Sequence, residues 1–176
     1  EAGVATAFDA FTTHLGAWWP IAYTFSGADF VSAGVEPRAG GVWFERNGSG
    51  ERVSWGDVRA YVPVHRLVLA FAIGADRKPT SHDAASEVEV RFAAAGPGRT
   101  RVDVEHRDFS RHGQDAGTLR AGMDSAQGWP LIVAELRRWM RARPAVRYIV
   151  AGVDAAAEFY TSPIGVTVAM ARAPGL

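Results

Sequence analysis

Between residues 113 and 143, apolar residues recur on one helical face: Trp129, Ile132, Val133, Leu136, Trp139 and Met140 follow at offsets of 3, 4, 7, 10 and 11. That is the spacing of a 3.6-residue repeat. It predicts one long terminal helix, broken once at Gly128-Trp129-Pro130. Pro130 stands early in the second section, where it kinks or restarts the helix. Near the start, Val4, Ala7, Phe8, Phe11 and Leu15 show the same spacing, predicting an amphipathic helix that ends near Gly16 and is followed by the stop Trp18-Trp19-Pro20. Between the two helices the period changes to two. Residues 30–36, 42–46 and 53–62 read as strands, Leu67, Leu69, Phe71 and Ile73 alternate, and so do Val88, Val90 and Phe92 against Glu87, Glu89 and Arg91. Val102, Val104 and His106 share one face of the last strand. Turn chemistry separates these runs: Pro37-Arg38-Ala39-Gly40-Gly41, Asn47-Gly48-Ser49-Gly50 and Gly96-Pro97-Gly98. The polar stretch 75–85 is expected to be a mobile loop.

An antiparallel sheet with little helix between its strands, closed by one long helix, is an α+β arrangement that leaves a groove or cavity between its two layers. The chain of 176 residues has room for one good core and part of another domain. A boundary falls at residues 141–144. Beyond it, residues 146–150 read as a strand, 154–160 as a helix capped by Asp154, and 165–171 as a strand. The domains are therefore 1–143 and a βαβ fragment at 144–176. That fragment, too small to be stable alone, docks on the main domain, pairs with another copy as a homodimer, or begins a domain that continues further.

Nineteen basic residues balance nineteen acidic ones, which gives no overall field to recruit nucleic acid or an anionic membrane. With no cysteine, disulfides and thiolate metal sites are excluded. No apolar run approaches a membrane span. A cytoplasmic location is expected.

Six short motifs occur in order: Trp18-Trp19-Pro20; Glu36-Pro37-Arg38-Ala39-Gly40-Gly41; Trp55-Gly56-Asp57-Val58; Pro63-Val64-His65-Arg66-Leu67; Gly98-Arg99-Thr100-Arg101-Val102; and Gly128-Trp129-Pro130. With these, residues 1–143 resemble the SRPBCC superfamily (START and birch-pollen-allergen architecture), and within it the branch of homologues of the activator of the heat-shock-protein ATPase. The resemblance implies a helix-grip fold, a curved antiparallel sheet wrapped around a long C-terminal helix, and no shared catalytic set. Such folds open with a strand before the first helix, so the first strand is expected to be missing. Arg147-Tyr148-Ile149-Val150, Val153-Asp154-Ala155-Ala156 and Ile164-Gly165-Val166-Thr167-Val168 resemble the opening of a vicinal oxygen chelate module of the glyoxalase and bleomycin-resistance type. Metal-using members of that family place a histidine in the first strand; here Val146, Arg147 and Tyr148 stand there, which disfavours a metal-dependent glyoxalase.

His106 is the candidate catalytic residue, a general base or ligand-orienting group if it faces the cavity; a buried histidine bonded to a neighbour is the favoured alternative. The five histidines show no ligand spacing, so no metal and no cofactor are expected. His82-Asp83 is the least poor seed of a metal site. Asp57 and Glu45 fit exposed strand positions better than inward polar anchors. The aromatic candidates for stacking a ligand are Trp18, Trp19, Trp43, Trp55 and Trp129; of these Trp129, like Trp139, is assigned mainly to the core, and Trp43 or Trp55 is placed nearer the pocket. The expected ligand-binding set is Trp43, Trp55, Phe71, His106, Leu119, Met123 and Trp129, with Leu119 and Met123 as a flexible wall. The expected function is binding of a small hydrophobic or aromatic molecule, without nucleic acid or membrane as partner. The alternatives are a cyclase- or hydrolase-like enzyme using His106, a glyoxalase- or resistance-type fusion protein, and a cochaperone-like partner-binding domain.

Overall fold

The computed structural model describes residues 3–142; the βαβ fragment and the vicinal-oxygen-chelate resemblance lie outside them. The first helix, α1 (Val4–Thr12), buries Ala7, Phe8, Ala10 and Phe11 on one face. It stops earlier than the periodicity predicts, because tertiary contacts take over its last turn. Leu15–Ala17 forms a 3-10 turn instead. Gly16 there passes so close to the sheet that a Cβ would lie 2.4 Å from the Ala33 nitrogen. Trp18 folds back to donate its indole N–H to the Ala10 carbonyl at 2.7 Å.

Six strands follow: β1 (Phe30–Val35), β2 (Val42–Asn47), β3 (Arg52–Val62), β4 (Arg66–Phe71), β5 (Ser86–Ala94) and β6 (Thr100–Arg107). Each pairs antiparallel with the next, in the order β1-β2-β3-β4-β5-β6. Register shifts at Trp43/Phe44 and Val58/Ala60 put bulges on both sides of Gly56. Bulges raise local twist and bend the strand, so the sheet curls along β3. Gly56 (φ 146°) is required at that bend, since a Cβ would meet the Ala70 carbonyl oxygen at 1.8 Å. The same carbonyl accepts the Trp43 indole N–H at 2.8 Å.

The alternation in β5 is obeyed by Val88, Val90 and Phe92, all buried against α1 and its neighbours. Its outer face departs from the expectation of a wet surface. Glu89 is only 2% exposed, because Arg66, Arg91 and Arg107 close over it from β4, β5 and β6. The stretch 75–85 carries defined turns: Ile73 bridges Pro79, and His82–Ala84 forms a 3-10 turn.

The terminal helix is two helices. After a 3-10 run at Phe109–Asp115, kinked at Gly113 (φ 60°, ψ −127°), come α2 (Ala116–Asp124) and α3 (Trp129–Ala142). The break falls just before the Trp-Pro pair. Ser125 Oγ donates to the Gly122 carbonyl at 2.7 Å, Gly128 N–H donates to Ser125 O at 2.9 Å, and the Ile132 N–H already bonds back to Gly128 O. Ile132 and Leu136 of α3 are buried. Trp129, Trp139 and Met140 are half-buried on the same core. The result is an α+β helix-grip fold, a curled antiparallel sheet closed by terminal helices.

Candidate functional site

A cavity of about 310 Å³ lies beside the break in the terminal helix. Three chain segments wall it. Phe71 and Ile73 come from the end of β4 and beyond, Trp19, Tyr23, Thr24 and Phe25 from the chain after α1, and Leu119, Gly122, Met123, Gln127, Gly128 and Ile132 from α2, the break and α3. The wall is mostly apolar, as small-molecule sites generally are.

Phe71, Leu119 and Met123 therefore stand on the cavity wall. Trp43 and Trp55 do not: both are 0% exposed. They form a tryptophan cluster behind Trp19, with Trp19 and Trp55 rings 5.1 Å apart and Trp43 edge-on to both. The expectation that one of them lies nearer the pocket is corrected: both are packed into the core and neither is on the lining. Trp19 takes that place. Its indole nitrogen is buried without a hydrogen-bond partner among the described residues.

Glu45 is also corrected. Its place in an alternating strand favours an exposed position, yet it is fully buried. Its carboxylate accepts hydrogen bonds from Phe25 N (2.9 Å), Ser26 N (2.6 Å), Ser26 Oγ and Trp55 Nε1 (2.9 Å). Such charge-assisted bonds compensate the desolvation of a buried carboxylate. They also tie down the segment that carries Tyr23, Thr24 and Phe25 to the cavity wall. Asp57, half-buried, meets His82 instead, Oδ2 to Nδ1 at 2.5 Å.

His106 and Trp129 are off the cavity wall and bound to each other. The Trp129 indole N–H donates to His106 Nδ1 at 3.1 Å, which makes that nitrogen an acceptor. The neutral ring then carries its proton on Nε2 and donates to Ser86 Oγ at 2.7 Å. Ser86 in turn reaches His112 Nε2 at 2.8 Å, and its own N–H meets the same nitrogen at 3.1 Å. Burial, and then the neighbouring His112, push His106 down to about 3, so it is neutral at pH 7. Phe71 and Phe109 hold its ring at centroid distances of 4.8 and 4.1 Å. Both ring nitrogens are thus committed to the protein.

Among the described residues no group of three or more histidines or carboxylates is placed to hold a metal ion, and no helix is long and apolar enough to cross a membrane. The sequence reading missed Tyr23, Phe25, Ile73 and Arg77. The aromatics directly after the Trp-Trp-Pro stop were the available sign of a further wall. Arg77 carried no periodic signal at all.

Residues 1–141 match the family described as Activator of Hsp90 ATPase homolog 1-like protein. No curated protein matches the chain. Solved structures do. The anthrahydroquino-γ-pyrone synthase Txn09 is 29% identical, over 78% of this chain and 89% of its own, with a TM-score of 0.55. The self-sacrificing resistance protein CalC from Micromonospora echinospora is 29% identical, over 83% and 92%, with a TM-score of 0.55. A protein from Nitrosomonas europaea shares the fold at 14% identity, over 80% and 88%, with a TM-score of 0.52. Neither the family match nor these structures support the vicinal-oxygen-chelate resemblance of the tail.

Proposed function

The chain belongs to the Activator of Hsp90 ATPase homolog 1-like family, and from that premise we propose that its helix-grip domain binds a small, mainly apolar aromatic molecule in the cavity at the helix break. The observation that carries this reading is the cavity itself. It is about 310 Å³ and lined by Trp19, Tyr23, Phe25, Phe71, Leu119 and Met123. Aromatic walls favour flat ligands, because stacked and edge-on ring contacts add to area burial. That Txn09 is named as the synthase of a polycyclic aromatic product accords with this ligand class. Txn09 and CalC are a synthase and a resistance protein at the same identity to this chain, so likeness to them favours neither activity. A His106-based reaction finds no support in the geometry, because the ring is neutral, off the wall and bound at both nitrogens.

The neutral fluorophore N-phenyl-1-naphthylamine tests the proposal. The wild-type chain should bind it with a blue shift and quench tryptophan emission. Met123→Trp, which fills the cavity from a half-buried position, should weaken binding by about tenfold or more, about 1.4 kcal/mol, with little change in melting temperature. Equal binding by the two proteins would place the probe elsewhere and sink the reading.

A further inference from the structure

Arg77 is the one charged side chain on the cavity wall among the described residues. Its position is unusual. Gly74 N–H bonds to Lys78 O and Arg77 N–H to Gly74 O, which makes Gly74 to Lys78 a tight hairpin loop ending in a left-handed residue. Glycine is the usual occupant of such a position, and a long side chain there is strained; Arg77 holds it at φ 62°. The guanidinium lies 4.8 Å above the Tyr23 ring and donates to the Ala22 carbonyl at 2.8 Å. Tyr23 in turn donates its hydroxyl to Gln127 O at 2.5 Å, in the helix break. A cation is thereby fixed at the cavity mouth, between the hairpin and the chain after α1.

No carboxylate pairs with it among the described residues. Asp76, its chain neighbour, is taken by Lys78, at 3.1 Å through the backbone N–H and 3.7 Å through Nζ. The other lining residues are uncharged. An arginine uses five donors in a planar fork, and one here is spent on Ala22.

Resting on the cavity reading above, we propose that Arg77 is a specificity determinant that selects aromatic ligands bearing an oxyanion, such as a carboxylate, held at the mouth while the rings enter between Phe71, Phe25 and Met123. The ring stack on Tyr23 preorganises the guanidinium, so little side-chain entropy is lost when the anion arrives.

Two ligands of nearly equal shape test this on the full chain by isothermal titration: anthracene-2-carboxylate and the neutral 2-acetylanthracene. Arg77→Gln should weaken the carboxylate by about tenfold, the scale of one charge-assisted pair in a partly open site, and leave the ketone within about twofold. Equal losses for both ligands would show that Arg77 only shapes the mouth, overturning the proposal while the cavity reading stands. Wild-type binding of the ketone without the carboxylate would overturn it in the same way. Binding of neither ligand would bring down the cavity reading and the proposal together.

Discussion

Glu45 shows what a single residue contributes to the site without touching a ligand. Fully buried, it accepts from Phe25, Ser26 and Trp55. Removing one partner of a buried charge network leaves the others unsatisfied, at a cost of about 3 kcal/mol. Glu45→Ala is therefore expected to lower stability by about that amount in urea denaturation. It should also weaken N-phenyl-1-naphthylamine binding, because Tyr23 and Phe25 lose their anchor. Unchanged stability would mean that Trp55 and Ser26 find other acceptors. Nothing local distinguished Glu45 from Glu87 or Glu105. Each is one acidic residue in an alternating strand, and only the chain segment crossing over Glu45 makes it a core residue.

At the scale of elements, the break between α2 and α3 is set by close approach. A Cβ on Gly128 would lie 2.1 Å from the Met123 carbonyl oxygen and 2.6 Å from that of Gly122. These are backbone atoms and cannot rotate away, so Gly128→Ala must open the turn. The expected outcome is a loss of about 2 kcal/mol or more. Probe affinity should change as well, since Gly122, Met123 and Gly128 all border the cavity. Thermal melts and probe titration on one sample check both, and a neutral result in each would show that the turn is slack. The Gly-Trp-Pro triplet made the break legible, because proline begins helices and glycine ends them. It left open whether the helix kinks or restarts, and the structure restarts it, which depends on how Gly128 meets Met123.

For the whole molecule, stability should fall with acid in two windows. His106 is depressed from 6.5 to about 3, so the unfolded chain takes up its proton first; the folded state is fully favoured above pH 6.5 and loses ground as pH falls toward 3. Burial also lowers His112, in the same direction. Glu89 follows lower down. Burial raises it, but hydrogen bonds from Arg66 and Arg107 and the charges of Arg66 and Arg91 outweigh that and hold it at about 2. Its contribution is complete above pH 4.5 and is lost between there and 2. Between pH 7 and 5, His106 alone should remove about 2 kcal/mol, measured as a shift of the urea midpoint. A flat midpoint over that range would mean that the folded state takes up the proton on His106 as readily as the unfolded chain does.

The sequence alone determined the alternating strands, the amphipathic helices at either end, the turns at 37–41, 47–50 and 96–98, and with them an α+β sheet closed by a helix, while the helix-grip class is what the family resemblance implied. The strands, helices and turns follow from periodicity and from the backbone limits of glycine and proline, which act between near neighbours. The sequence also offered Phe71, Leu119 and Met123 as ligand-site residues, and all three lie on the cavity lining. The tertiary structure decided which aromatics face the opening and which are sealed behind it. Trp19 and Tyr23 wall the cavity and Trp43 and Trp55 do not, because distant segments of the chain close over the latter two in the core. It likewise decided that Glu45 and Glu89 are buried, and that Arg77 meets Tyr23 across more than fifty residues of chain. Burial and pairing between distant segments depend on the curvature of the sheet, which no local pattern encodes.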